Sequence, residues 1–399
     1  MARHTEHASE SYFLKPEAWS AVRNSLALVA LVSWLAAAAG YAVDRNQFFF
    51  SYLVAFAWFV SVSLGALFFV MVQHLTGSAW SVTVRRLMEN MMRTVPLAFL
   101  AIVPVFFGIH SLYEWSHAEA AKDPLLSQKL GYLNEPWFVI RAFIAIALWS
   151  LFALRLYGIS RRQDETGSIE FTRAAARWSA PGTVVLFLTA SMASFDWVMS
   201  LEPHWWSTMF GVYFLAGGAV GFMATLIAVC LGLRSAGYLT QSIREEHYHD
   251  LGKWLFALTT FWAYVTFSQY MLIWYGNLPE ETFWYWKRFQ GTWKAFGPIL
   301  VFGHFIIPFF TLLPRANKRN LKLLGFFAGW MMLMHYCDLY WQIMPVLHPK
   351  GLALHWLDLA AWLAVGSAYG LVFWTGLREK PLVPVGDPRL EQCLAFHNV

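Results

Sequence analysis

Ten hydrophobic segments follow one another along the chain and restrict it to a membrane fold. Crossing the hydrocarbon core of a bilayer takes about 20 apolar residues in a helix, and each segment is long enough. A soluble domain carries about 25% charged residues, whereas this chain of 399 residues is 58% hydrophobic and only 13% charged. Such a chain needs lipid to cover it. The segments are residues 24–43, 47–75, 87–112, 136–160, 180–201, 205–233, 251–275, 294–313, 321–346 and 354–377.

The basic residues predict how these segments are oriented. With the N-terminus in the cytoplasm, 21 of the 29 Lys and Arg residues fall on the cytoplasmic side. Such an excess is the usual orientation signal of membrane proteins. We therefore interpret the net charge of +5 as a topology signal and expect no nucleic-acid partner. The prediction is a cytoplasmic segment 1–23, an all-α membrane domain 24–378 of ten transmembrane helices, and a cytoplasmic tail 379–399.

The cysteines limit the redox centres that the chain can hold. Cys230, Cys337 and Cys393 are scattered, which excludes a Cys-ligated iron–sulfur cluster, a c-type haem and an internal disulfide framework. A bis-histidine haem needs two facing imidazoles, and His335 with His355 offers one pair. A carboxylate one turn from each of these histidines favours proton chemistry instead. We predict no metal site and no covalently bound cofactor.

Ionisable residues within the segments gather toward the non-cytoplasmic side. Each one is costly at membrane depth and therefore marks a candidate site. Two pairs have the form His-x-x-Asp, a spacing that places both side chains on one helix face within hydrogen-bond reach. An imidazole beside a carboxylate can pass a proton. The predicted proton-transfer residues are Asp196, Glu202, His204, His304, His335, Asp338, His355 and Asp358.

A structural interpretation of some of these residues stays open. Near helix ends, Asp, Glu and His also act as interfacial caps or as hydrogen-bond partners between helices, and this applies to Glu202, His204 and His355. On the cytoplasmic side, Glu89 follows Arg85 by four positions. An ordinary ion pair on one helix is the favoured explanation there, ahead of a role in proton uptake.

A quinone pocket is the second chemical interpretation. Quinol oxidation needs an apolar cleft, hydrogen-bond partners for two oxygens and a base that accepts protons. The predicted acid–histidine group lies beside aromatic residues that suit a quinone ring, although aromatics are enriched at every bilayer interface. The predicted quinone-binding residues are Trp197, Trp205 and Tyr270.

Several strings of the sequence resemble one known family. They are QDETG at 163–167, SFDWVMSLEPHWWST at 194–208, HDLGK at 249–253, SQYMLIWYGNLPEE at 268–281 and HWLDL at 355–359. Together they resemble the ActF subunit of alternative complex III, a bacterial quinol:cytochrome c (or other acceptor) oxidoreductase. The resemblance implies an NrfD/PsrC-like fold in the bacterial cytoplasmic membrane, with both termini cytoplasmic. In that fold eight central helices form two four-helix bundles, and two further helices flank them.

The resemblance also implies the chemistry and the partners. It implies a subunit without a redox cofactor of its own, in a complex that oxidises menaquinol or ubiquinol, and a proton-transfer path within the subunit. The family pattern carries this expectation to Asp196, Glu202 and His204, and to His355 and Asp358. The implied partners are an ActC-like paralogous membrane subunit, an iron–sulfur protein, c-type cytochromes, further small membrane subunits and lipids.

Two alternatives belong to other functional classes. The chain would act as a structural anchor for the redox subunits, without proton or quinone chemistry, if its intramembrane acids only join helices. It would act alone if it were a secondary transporter. Many transporters have pairs of long helices broken by Gly or Pro in matching halves of the sequence. The sequence shows no such pair, which makes the transporter the less favoured alternative.

Overall fold

The computed structural model describes residues 10–378 and 380–397. Most of these residues are helical, and none of them forms a β-strand. The first nine residues of the predicted N-terminal segment lie outside the described residues, as do Glu379, Asn398 and Val399 of the predicted tail.

The main helices follow the predicted hydrophobic segments closely. Differences at their ends arise where a helix continues past its apolar part, as in α5, which begins well before the predicted start at residue 180. In chain order they are α1 (Pro16–Val43), α2 (Arg45–Leu75), α3 (Val82–Phe107, with interruptions), α4 (Glu135–Thr166), α5 (Ile169–Trp197), α6 (Phe210–Ser235), α7 (Glu245–Gly276), α8 (Pro279–Arg288), α9 (Gly291–Leu312), α10 (Leu321–Leu347), α11 (Trp356–Thr375) and α12 (Leu390–Leu394).

Eight of these helices are long and apolar enough to cross a membrane: α1 to α6, α9 and α11. The chain is therefore compatible with a multi-pass integral membrane protein. Helices α7 and α10 are also long, at 32 and 27 residues. Helix α8 is short, and cations occupy its last turn.

Helix α2 lies at the centre of the fold. It packs against α5, α6, α10 and α11, and most of its side chains are buried. Helices α2 and α6 approach closely because glycine faces the neighbouring backbone: a Cβ at Gly65 would lie 2.7 Å from the Gly218 carbonyl oxygen. Small residues commonly allow such close helix crossings in membranes. Helix α10 packs against both α2 and α6, so polar residues on α10 face the core.

The predicted ion pair between Arg85 and Glu89 is confirmed. Arg85 Nε lies 3.1 Å from Glu89 Oε1, and both side chains are buried. The pair has the i,i+4 spacing that the sequence predicts.

Candidate functional site

Asp338 lies on α10 in the middle of the fold, with 1% of its surface exposed. Its carboxylate accepts a hydrogen bond from the Tyr213 hydroxyl on α6 and another, at 3.1 Å, from Trp262 Nε1 on α7. Within the described residues, no cationic side chain forms an ion pair with it. A carboxylate held only by neutral donors can exchange a proton, whereas a neighbouring cation would hold it in the ionised form.

His335 lies one turn away on the same helix and is equally buried. Its Nε2 lies 2.9 Å from Ser61 Oγ on α2, while its Nδ1 has no hydrogen-bond partner among the residues that the structure describes. His335 and Asp338 therefore form no direct hydrogen bond with each other. Helical spacing brings the two residues to one face, but Tyr213 and Trp262 supply the donors that the carboxylate uses.

The two side chains nevertheless border the same small space beside Gly217. A Cβ placed on Gly217 of α6 would lie 3.2 Å from His335 Nδ1 and 3.5 Å from Asp338 Oδ2. Both atoms therefore border the space that glycine leaves open. The free imidazole nitrogen and the carboxylate face each other across this space.

His304 lies on α9 within a π-helical stretch, Leu300–Ile306, and is fully buried. Its ring stacks on the indole of Trp262 with centroids 3.7 Å apart. Neither ring nitrogen has a hydrogen-bond partner in the described part of the chain. Within this stretch the Gly303 carbonyl accepts a hydrogen bond from Trp330 Nε1 at 2.7 Å. π-Helical turns are rare and are often found at functional sites.

These side chains come from α2, α6, α7, α9 and α10 and meet in the interior. Each can donate or accept a hydrogen bond, and four of them (Tyr213, His304, His335 and Asp338) have side chains that can change protonation state. We call this group the central cluster; it consists of Ser61, Tyr213, Trp262, His304, His335 and Asp338.

Asp358 forms a second buried acid group at the start of α11. It accepts hydrogen bonds from Ser51 Oγ at 2.5 Å, from the Tyr340 hydroxyl at 3.2 Å and from Gln47 Nε2 at 3.2 Å. It also accepts one from the His355 backbone N–H at 3.0 Å. His355 is the N-cap residue of α11, so the two side chains form a capping box instead of the predicted imidazole–carboxylate bond. Its role as a helix cap matches the structural interpretation of His355 that the sequence allowed.

Asp196 is paired with a cation. Arg141 Nε lies 2.8 Å from Asp196 Oδ2, and Arg141 Nη2 lies 3.0 Å from Oδ1. The guanidinium also lies over the Tyr132 ring, 3.8 Å from its centroid, and donates to the Tyr132 carbonyl. A two-point bond of this kind favours the charged form of the carboxylate and joins α4 to α5.

Glu202 is paired in the same way. Arg288 Nη1 lies 2.8 Å and Lys287 Nζ 3.0 Å from its oxygens. Burial alone would raise the pKa of Glu202, but the attraction of Arg288 and Lys287 outweighs burial and holds this pKa below its usual value. Arg288 is buried and also donates to the carbonyls of Trp341 and Trp284. The ion pair therefore holds α8 against the segment that follows α5.

His204 lies nearer to solvent, and its side chain is 36% exposed. Its Nε2 lies 3.0 Å from Asp123 Oδ2, and its Nδ1 lies 4.0 Å from Glu114 Oε2. The hydrogen bond from His204 lowers the pKa of Asp123 to about 2. Glu202, His204 and Glu114 line one cavity, whereas Asp196, Asp338 and Asp358 each have partners of their own. The acids and histidines therefore do not all gather in one outer cluster.

The residues predicted to bind quinone are buried or half-buried, and each packs against other aromatic side chains. Trp205 and Tyr270 are linked through the neighbouring rings of Trp284 and Tyr285. The contacts are Trp197 against Trp149, Trp205 against Trp284 with centroids 4.6 Å apart, and Tyr270 against Tyr285.

Sequence reasoning did not include several residues that define these sites. The sequence does not mark Ser61, Tyr213 or Trp262 as functional, because neutral polar residues are common in membrane helices. Arg141 does carry a signal: it lies within the predicted segment 136–160, where an unpaired cation is costly. The cost of an unpaired cation in this segment would have indicated that Arg141 has an acidic partner on a neighbouring helix.

The long apolar helices are compatible with a multi-pass membrane protein, and buried acids and histidines give it a polar centre. No family model matches the chain, and a search of curated proteins finds no match. Among the residues described, no group of three or more His, Cys, Asp or Glu side chains is arranged to hold a metal ion.

Proposed function

We propose that this chain is the ActF-like membrane subunit of a quinol-oxidising complex of the alternative complex III type, and that it provides a proton-transfer path. The observation that carries the proposal is the environment of Asp338. This carboxylate is buried among helices, is bonded only to neutral donors and faces a free imidazole nitrogen across the Gly217 gap. Asp196 and Glu202, by contrast, are each held by an arginine.

The topology is part of this proposal. Helices α7 and α10 complete a set of ten membrane spans in the bacterial cytoplasmic membrane, with both termini cytoplasmic. Eight of the ten form two four-helix bundles. The central cluster then lies at membrane depth, where protein and lipid exclude bulk water.

His335 supplies the transfer step in this path. A neutral imidazole carries one N–H and one lone pair, so it can accept a proton at one nitrogen and release one from the other. Nε2 faces Ser61 and Nδ1 faces the gap beside Asp338. The ring is therefore oriented to pass a proton between the Ser61 side of the cluster and the Asp338 carboxylate.

The quinol is the substrate of the whole complex, as menaquinol or ubiquinol. The pocket predicted at Trp197, Trp205 and Tyr270 stays a prediction. A structural anchor is the second candidate function, and the ion pairs of Asp196 with Arg141 and of Glu202 with Arg288 favour it.

Filling the Gly217 gap tests the transfer path without removing any ionisable group. We expect Gly217→Ala to lower quinol-driven turnover of the complex roughly tenfold, as misplacing a proton-transfer group does, because the methyl group separates His335 Nδ1 from Asp338. Gly232→Ala is the matched control, since a Cβ at Gly232 on the same helix meets nothing within 4 Å. Equal turnover in both variants would count against the path.

Purification tests the assignment to a complex. When the tagged chain is isolated from its native membrane, we expect an iron–sulfur protein and c-type cytochromes to copurify, detected by haem absorbance and mass spectrometry. Quinol oxidation should follow the complex and be absent from the chain alone. A chain that purifies alone and transports a solute in vesicles would instead support the secondary transporter.

A further inference from the structure

The chain after α11 returns across the helix ends that are proposed to face the cytoplasm. We call residues 381–396 the strap. Its backbone and side chains bond to segments that are distant in sequence, and several of its residues are fully buried. The contacts are Leu382 N to the Tyr12 carbonyl, Cys393 Sγ to the Trp80 carbonyl, and Arg244 to the carbonyls of Leu394 and Phe396.

Asp387 fixes the middle of the strap to the helices below. Its side chain is fully buried, and Arg85 Nη2 lies 2.7 Å from Oδ2. Arg389, two residues along the strap, also lies 3.0 Å from Oδ2. Burial would raise the pKa of Asp387, but Arg389 and Arg85 together hold it well below its usual value. Because Arg389 belongs to the strap, Asp387 and its own counterion dock together without adding net charge to the interior.

Gly386 brings the strap against the end of α4. Its N–H donates to Asp164 Oδ1 at 3.3 Å. A Cβ at Gly386 would lie only 2.0 Å from the Gln163 carbonyl oxygen, so a side chain cannot fit in this position. The two backbones are in direct contact here.

A buried ionic group lies beneath these two attachment points. Glu89 is fully buried; Arg85 and Arg86 each lie 3.1 Å from its oxygens, and the Ser160 hydroxyl donates to it at 2.8 Å. Arg86 also lies 2.5 Å from Asp164 Oδ2. The strap thus contacts both ends of this group, at Arg85 through Asp387 and at Asp164 through Gly386.

We propose that the strap is a lid over Glu89. While it is docked, Asp387 completes the charge balance of Arg85 and water is excluded from the ionic group. When it lifts, Arg85 loses one of its two carboxylate partners and Glu89 becomes accessible from the cytoplasm. In the transfer path proposed above, on which this role in proton uptake rests, lifting the strap admits protons to the helix bundle.

Hydrogen–deuterium exchange of the intact complex tests the lid. We expect Asp387→Asn and Gly386→Ala each to raise exchange at least about tenfold, both in the strap and in the first segment of α3, Val82–Met92. The first variant weakens the ion pair; the second forces the backbones apart without changing any charge. Glu391→Gln, an exposed change within the strap, is the matched control and should leave both segments at the wild-type rate.

Two results would overturn the lid. One is faster exchange of the strap while Val82–Met92 keeps its wild-type rate; the other is unchanged exchange of the strap in both variants. The wild-type complex provides a test that does not depend on the variants folding. The two segments should open together there, and independent opening would contradict the proposal.

Proton leak separates this proposal from the proposed function. In vesicles that contain the complex, the same two variants should raise passive proton leak about tenfold relative to Glu391→Gln. Faster exchange without added leak would overturn the role in proton uptake. Normal turnover of an Asp338 variant would overturn the transfer path, while the exchange result would still decide whether the strap covers Glu89.

Discussion

Asp338→Asn is expected to lower quinol oxidation by the intact complex about 100-fold, within the range usual for loss of a proton-transfer group. Asparagine keeps the size of the side chain and still accepts a hydrogen bond from Tyr213 or Trp262, but it cannot carry a proton. No cation is left unpaired, so the complex should assemble in normal amounts. Turnover with a soluble quinol and proton release per electron, followed with a pH indicator, measure the effect.

Asp196→Asn is the matched control because it makes the same chemical change in an acid that is paired with a cation. It leaves Arg141 with a weakened partner, so we expect less assembled complex but normal specific activity in what remains. Wild-type activity and proton release in Asp338→Asn would remove the transfer path. Loss of assembly in both variants, with normal specific activity, would favour the structural anchor.

Arg288→Leu is expected to destabilise the protein by about 3–5 kcal/mol, the usual cost of leaving one member of a buried ion pair alone. Glu202 would keep its burial and lose its main counterion, and the carbonyls of Trp284 and Trp341 would lose their donor. Thermal unfolding of the detergent-solubilised complex, followed by intrinsic fluorescence, measures the loss.

The pH dependence of this variant has a definite sign. Without Arg288, burial would raise the pKa of Glu202 above its value in the unfolded chain. Protonation would then favour the folded state, so the deficit relative to wild type should shrink as the pH is lowered. A deficit that grows toward low pH would contradict this explanation.

Lys287→Gln is the control at the same carboxylate. Lys287 is 51% exposed and lies 3.0 Å from Glu202, and exposed pairs of this kind contribute less than about 1 kcal/mol. Equal losses in the two variants would mean that burial of the arginine is not what matters.

Hydrophobic segments predicted the all-helical fold and the positions of its long helices, since a run of about 20 apolar residues is what a membrane-spanning helix requires. The pattern marks the part of a helix in lipid, however, and not the whole helix. Helix α5 therefore begins at Ile169, where a Ser168 cap starts a polar extension that hydropathy does not detect.

The same pattern predicted the depth of the acids but not their partners. Asp196, Asp338 and Asp358 are all buried, as their positions in the segments suggested. Local spacing gave the Arg85–Glu89 pair correctly, because both residues lie on one helix. Hydropathy carries no information about which helices are neighbours, so it did not distinguish Asp196, bonded to Arg141, from Asp338, bonded to Tyr213 and Trp262.

The π-helical stretch of α9 has a consequence for the ancestry of the chain. Such a stretch holds one residue more than an α-helix of the same hydrogen-bonded frame, as a single-residue insertion would produce. Deleting one residue from Leu300–Ile306 would restore the regular repeat and turn His304 by about 100°. The imidazole would then lose its stacking contact with Trp262. One inserted residue is thus enough to place the His304 ring against Trp262 in the interior of the protein.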